Sequence, residues 1–307
     1  MYRTFVIARH TFREAVGQPI YSLLIGIGAA VLMVFALLPF FTLGEDAVMY
    51  KAVGLDVILL PVLVATLFAT SKSIYEEIED RTMLTLMSKP VRRWEVLLGK
   101  YLGILFSAFL AVAVLGLILA LCVWFRIPTD YQLSSRSVDE GEIAMIRGYR
   151  TMHLFGVIPS LFTTWMQIAV LAAVSVAIST RVSLVVNLPV VILLYIAGNL
   201  TRFLDIAVAT RGGLAKSVAE VMNTILPYLS IFDIRGKSVY AKVRWSETFA
   251  GLGLPRSVFS GDNNAVWLSS IWADTGMSLA YALCYATAAL AVGMLLFESR
   301  ELGGAEG

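Results

Sequence analysis

Long apolar runs separated by shorter polar stretches set the pattern of this chain. They lie at residues 20–43, 53–71, 101–125, 154–180, 182–200 and 275–297. Each approaches or exceeds the ~20 apolar residues that carry a helix across ~30 Å of hydrocarbon. The pattern predicts an all-α polytopic membrane protein with six transmembrane helices in a single domain spanning 1–307. The first run is longer than the apolar core of a signal peptide and has no small-residue cleavage site, so it reads as an uncleaved span. Pro61 is expected to kink the second.

The polar stretches differ from one another. Within residues 1–19, Tyr2, Phe5, Val6, Phe12 and Val16 share one half of a helix, with Arg3, Arg9 and Arg13 among them. This predicts an amphipathic helix lying in the membrane interface, turned into the bilayer at Gly17 and Pro19. Gly44–Lys51 reads as a short polar loop. Arg126–His153, poor in large apolar residues, is expected to form a loosely ordered cap or small hairpin. In 201–267, Leu214, Val218, Val221, Met222 and Ile225 recur at helical spacing until Pro227, which predicts an amphipathic helix dipping into the outer leaflet.

Composition agrees with the hydropathy: 58% of residues are hydrophobic and 15% charged, far from soluble averages. The net charge of +2, with no basic stripe interleaved with aromatics, gives no reason to expect nucleic acid. Cys122 and Cys284 each lie in an apolar run and read as small packing residues. His10 and His153 lie in different segments without ligand-like spacing and are expected at the interface. No serine–histidine–acid set and no metal-ligand spacing is visible, and none of the chain matches a Gly-x-x-x-x-Gly-Lys-Ser/Thr phosphate loop.

Charge is concentrated in Tyr75–Gly103, YEEIEDRTMLTLMSKPVRRWEVLLGKYLG, where Glu76, Glu77, Glu79, Asp80 and Glu95 balance Arg81, Lys89, Arg92, Arg93 and Lys100. Ile78, Met83, Leu84, Leu86 and Met87 are interleaved with the charges, and Pro90 divides the helical pattern. The segment reads as a helical end, a short amphipathic helix, a turn at Ser88–Pro90 and re-entry through Arg92-Arg93-Trp94, a trio suited to a membrane–water interface. With the N-terminal segment, the Lys72–Lys100 loop carries nine Lys or Arg, against Lys51 alone in the first loop on the opposite side. Short basic loops stay inside, so both termini and this loop are expected in the cytoplasm.

The acid-rich approach, Arg81-Thr82, the short apolar helix, Pro90, the basic-Trp-Glu turn and Leu97-Leu98-Gly99-Lys100 resemble the permease subunit of type-2 ABC exporters. The stretch at Ile225–Arg235, ILPYLSIFDIR, is similar to the extracytoplasmic re-entrant region of that family. The resemblance implies that 74–100 holds a cytoplasmic coupling helix fitting a cleft of a separate ATPase subunit. The contact residues would be Glu76, Glu77, Glu79, Arg81, Thr82, Met83, Leu84, Leu86, Met87 and Pro90, the apolar side chains supplying binding energy and the charges specificity. It further implies two copies of that ATPase subunit, which bind the ATP and Mg, and a second permease subunit, identical or different. The chain itself would bind no cofactor and no metal. Its place would be the cytoplasmic (inner) membrane, with lipid around it, and its work the export of a substrate rather than catalysis.

Within the spans Gln167, Asn187 and Asn199 are the notable polar groups. Unpaired amides in hydrocarbon cost several kcal/mol, so these face other helices, as interhelix hydrogen bonds, or a translocation path. Gly99 and Gly103 form a Gly-x-x-x-Gly pair, open between close helix approach and coincidence. Two other classes compete with the exporter. An ion-gradient transporter or channel would want ionisable groups at mid-membrane, and a lipid-modifying enzyme a His/Asp/Glu cluster at headgroup level.

Overall fold

The computed structural model describes residues 2–38, 46–83, 91–130, 139–209, 226–244 and 265–298. These residues are mostly helical: α1 Tyr2–Gly17, α2 Pro19–Leu37, α3 Asp46–Ser71, α4 Arg93–Asp130, α5 Glu140–Ser179, α6 Leu184–Ala209 and α7 Leu268–Glu298. Five helical stretches are long and apolar enough to cross a membrane: α2, α3 with its extension to Glu79, α4, α5 and α7. The apolar part of α6, Leu184–Leu200, is shorter. The turn between α1 and α2 falls where Gly17 and Pro19 predict it, with Pro19 opening α2 where its missing N–H costs nothing.

α3 and α5 form the centre. Leu55, Ile58 and Val62 of α3 pack with Leu115, Leu119 and Val123 of α4, with Leu32 of α2 alongside. Lipid tails are as apolar as leucine, so close packing rather than escape from water holds such an interface. Small residues make it close. A Cβ on Gly54 would lie 2.5 Å from Leu119 Cδ1, and one on Gly116 2.5 Å from Leu161 Cδ1. Tyrosine hydroxyls add pins between helices: Tyr21 donates to Ser107 O at 2.9 Å and Tyr50 to Leu32 O at 3.0 Å. Thr66 and Thr70 return their hydroxyl protons to carbonyls one turn back, at 2.7 Å each.

The helix α1 buries its small stripe, Thr4, Ala8, Thr11 and Ala15, and leaves Tyr2, Phe5 and Val6 facing outward. The buried stripe lies on Gly99 and Gly103 of α4. A Cβ on Gly103 would sit 2.5 Å from Ala8 O, and one on Gly99 2.9 Å from Ile7 Cβ. Close approach is therefore the role of this glycine pair.

The described residues of Arg126–His153 are helical rather than a loose cap or hairpin. The helix α4 runs on to Asp130 and α5 begins at Glu140, so most of it extends two helices. Their polar side chains are engaged with neighbours. Arg126 donates to Ala36 O at 3.1 Å, Leu38 O at 3.0 Å and Asp46 Oδ2 at 3.2 Å, closing the end of α2. Arg150 donates to Trp124 O at 2.9 Å and lies over the Trp124 ring. Lys51 is likewise on α3 rather than in a loop, and its side chain is 2% exposed. His153 is buried within electrostatic range of Lys51, not at an interface. His10 is exposed.

A compact, largely non-helical segment, residues 226–244, is inserted among α3, α5, α6 and α7. It contains a 3-10 turn at Leu229–Phe232 and a helical turn at Arg235–Ser238. Its strand β1, Lys242–Arg244, pairs in parallel with β2, Ala265–Trp267, in the register Val243↔Val266. This ribbon departs from the all-α expectation. The helix expected over 214–225 lies outside the described residues.

Candidate functional site

Two regions carry polar chemistry into the bundle. The first is the elbow that follows α3. A π-turn, Lys72–Glu76, is followed by one α-turn, Glu77–Glu79, and then by Arg81 in the left-handed region at φ 59°. A non-glycine residue there costs about 1–2 kcal/mol, and π-turns concentrate where helices do mechanical or chemical work. Helical backbone resumes at Thr82, whose hydroxyl donates to Glu77 O at 3.1 Å.

The elbow is held from beneath. Lys100 of α4, 3% exposed, reaches Glu77 Oε2 at 2.6 Å and donates to the backbone carbonyl and the hydroxyl of Ser73. Asn187 of α6 gathers the hydroxyls of Ser71 at 3.0 Å, Ser175 at 2.8 Å and Ser179 at 2.9 Å. Two amide hydrogens serve three oxygens, and Asn187 Oδ1 has no partner among the described residues. Asn187 thus ties α6 and α5 to the last residue of α3. Ile74, Ile78 and Met83 pack with Val96, Leu97 and Phe297.

Of the expected docking residues, Glu76, Glu79, Arg81 and Thr82 reach the surface. Glu77 is turned towards Lys100, and Met83, 2% exposed, anchors the elbow from inside instead of facing a partner. Leu84, Leu86, Met87 and Pro90 lie outside the described residues. On re-entry, Glu95 accepts from the Arg92 N–H at 2.9 Å, half of a capping box. Arg93 donates to Phe297 O and Glu298 O, both at 3.1 Å, and Arg181 to Leu296 O at 3.1 Å. Two cations therefore cap the C-terminal turn of α7, where the helix dipole favours them.

The second region is a cavity of about 150 Å³ between α3, α5, α6 and the inserted segment. Two of the three expected amides, Gln167 and Asn199, line it; Asn187 belongs to the elbow. Asn199 donates to Tyr195 O at 2.8 Å. The inserted segment supplies the charge: Arg235 forms a two-pronged ion pair with Asp56 of α3, one prong at 2.8 Å, and stands 3.7 Å from Asp233 Oδ1. Burial alone would lower the Arg235 guanidinium, but the Asp56 carboxylate holds it above its ordinary value. The segment is tied on every side. Ser238 shares a 2.6 Å hydrogen bond with Ser160, Lys51 donates to Val239 O at 3.2 Å, Ser278 to Ile231 O at 2.8 Å, and Lys237 pairs with Asp274 at 2.7 Å. Gly198 makes room for it, since a Cβ there would lie 2.6 Å from Pro227 O.

Sequence reading did not find Asp56, Asp233 and Arg235 as a unit, because Asp56 and Arg235 come together across 179 residues. The one signal was the resemblance that singled out Ile225–Arg235, which contains Asp233 and Arg235 but names no partner for them on α3.

A search of curated proteins gives no match to this chain. The family model described as "ABC-2 family transporter protein" matches residues 19–302. That interval takes in α2 to α7, the elbow and the inserted segment, and the chain belongs to the ABC-2 transporter family as an integral membrane permease.

Proposed function

We propose that the chain is the membrane-spanning subunit of an exporter driven by a separate ATPase. In this reading α2 to α7 cross the cytoplasmic membrane with α6 as the sixth span, both termini are inside, and α1 lies in the interface. Two permease subunits and two ATPase subunits form the working unit, with ATP and Mg on the ATPases. The observation that carries it is the break at Arg81, after which helical backbone resumes at Thr82 and Met83. Around that break Glu76, Glu79 and Arg81 reach the surface, while Glu77, Ile78 and Met83 fasten the elbow to the bundle. An element exposed on one side and rigidly fixed on the other can pass a push into α3 and α4. Leu84, Leu86, Met87 and Pro90 complete the proposed contact. The polar cavity beside Gln167 is the proposed part of the substrate path.

The test is purification of the tagged chain from its own membranes under mild conditions. A co-purifying subunit with a phosphate loop, and ATP turnover that disappears with Leu84→Asp, are the expected results. Isolation of the chain alone, with undiminished transport in the absence of ATP, would refute the reading.

A further inference from the structure

The crossing of α1 over α4 leaves an open apolar groove of about 320 Å³. Its walls are two helical stripes: Phe5, Arg9 and Phe12 at i, i+4 and i+7 of α1, and Phe106, Phe109 and Leu110 at i, i+3 and i+4 of α4. Phe5, Phe106, Phe109 and Leu110 are exposed, and Phe109 is held edge-on against Trp165 at 5.4 Å. Arg9 is the one charged side chain among the described residues that line the groove. It is exposed, and its guanidinium forms no ion pair or hydrogen bond among the described residues. The two ends of the groove differ. α1 passes α4 at Gly103, where a Cβ would stand 3.0 Å from Phe12 N. Phe106, Phe109 and Leu110 follow along α4, about 5–10 Å further from its basic entry at 1.5 Å per residue. A cation thus stands at the level of the interfacial helix, and apolar walls lead from it towards the bilayer interior.

We propose that this groove holds the acyl chain of an anionic phospholipid whose phosphate pairs with Arg9. A guanidinium matches phosphate oxygens with two parallel N–H donors. Among the described residues no carboxylate lines the groove. The cation of a zwitterionic headgroup therefore finds no partner there, and a net-negative headgroup is preferred. The space is about twice that which takes a benzene-sized guest, enough for a stretch of roughly ten chain carbons. The inference goes beyond the transport reading and uses from it only the position of α1 in the interface.

Photolabelling locates the occupant. The complete chain is placed in phosphatidylcholine nanodiscs with a trace of phosphatidylglycerol carrying a diazirine at mid-chain, and labelled residues are mapped by mass spectrometry. Phosphatidylcholine with the same chain is the control. The phosphatidylglycerol label should concentrate on Phe12, Phe106, Phe109 and Leu110 and be displaced by unlabelled phosphatidylglycerol. It should exceed the phosphatidylcholine label there about fivefold, with no such preference at Leu283, an exposed residue of α7. Arg9→Gln should abolish the fivefold preference and Arg9→Lys should keep most of it. Arg3→Gln, the same charge change outside the groove, should leave it intact. Equal labelling by the two lipids, an equal preference at Leu283, or equal losses with Arg9→Gln and Arg3→Gln overturns the proposal. The last two results would mean a general attraction between a basic helix and a charged lipid. A disulfide between two chains at Phe109→Cys, with Cys122 and Cys284 replaced by alanine, would give the groove to a second copy and overturn it as well. Retention of the ATPase through the elbow is a separate readout. A chain that keeps its ATPase but shows no selective label discards the lipid site alone. A selectively labelled chain isolated without an ATPase discards the transport reading alone.

Discussion

Lys100 of α4 and Glu77 of the elbow form an ion pair at 2.6 Å in which the two partners are unequally buried, 3% and 28% exposed. That inequality predicts an asymmetry. Glu77→Gln leaves an ammonium in the interior with the oxygens of Ser73 and the weaker attraction of Glu14, whereas Lys100→Met leaves a carboxylate that water can reach. Breaking a buried pair from one side costs about 3–5 kcal/mol, and partial exposure reduces the cost for the residual Glu77. Glu77→Gln should therefore lower the unfolding midpoint in nanodiscs more than Lys100→Met. The reverse order would mean that the pair is hydrated and contributes little.

The glycines of α4 give a steric prediction. A methyl group at Gly103 would lie 2.5 Å from the backbone oxygen of Ala8, which cannot move without α1, whereas one at Gly99 would lie 2.9 Å from Ile7 Cβ and 3.0 Å from Thr4 O, a smaller overlap. Gly103→Ala should destabilise by about 1–3 kcal/mol and Gly99→Ala by less. Gly26 of α2 has nothing within 4 Å of the position its Cβ would take. Gly26→Ala should accordingly be neutral or stabilising by about 0.5–1 kcal/mol. Unfolding midpoints of the three variants test the series, and equal midpoints would dissolve the close α1–α4 contact.

Cysteine labelling tests the orientation. In a background with Cys122 and Cys284 replaced by alanine, a cysteine at exposed Glu79 should react only from the cytoplasm. One at exposed Asp139 should react only from outside. Ser73 is unsuitable because it is buried. Labelling of both positions from one side would contradict the proposed passage of α4 through the membrane.

What the sequence made legible follows from range. The apolar runs gave the helices, because burial in lipid is written residue by residue. Gly17 and Pro19 placed the first turn because turn chemistry is local. The Gly99/Gly103 pair was visible but undecided, since its meaning depends on α1 lying across it. Lys51 looked like a loop residue because its partner, Val239 O, is 188 residues away. Arg126 and Arg150 made their stretch look like a disordered cap. Their charge conceals long aliphatic stems and donors that serve carbonyls and rings on neighbouring helices. Gln167 and Asn199 were found as polar positions in apolar runs, but the acids and the arginine beside them required the inserted segment to be in place.

The sharpest test of the elbow compares a buried position with the neighbours proposed to meet the ATPase. Met83 packs inside with Ile74, Ile78 and Val96, so Met83→Asp places a charge in an apolar core and should destabilise the elbow itself. Leu84 and Met87 are proposed to enter a cleft of the ATPase. Aspartate at either should leave insertion and the unfolding midpoint near wild type, because water solvates the charge in the free chain. In the complex the same charge would lose that water, a cost of several kcal/mol, and the ATPase should no longer co-purify. Glu79→Ala removes an exposed charge, with an effect of roughly 1 kcal/mol or less, so it should weaken retention without abolishing it. Two readouts on the four variants, midpoint and ATPase recovery, distinguish the roles. Loss of stability with Met83→Asp, and loss of partner without loss of stability with Leu84→Asp and Met87→Asp, is the expected pattern. Full recovery of the ATPase with both Leu84→Asp and Met87→Asp would place its docking surface elsewhere on the chain.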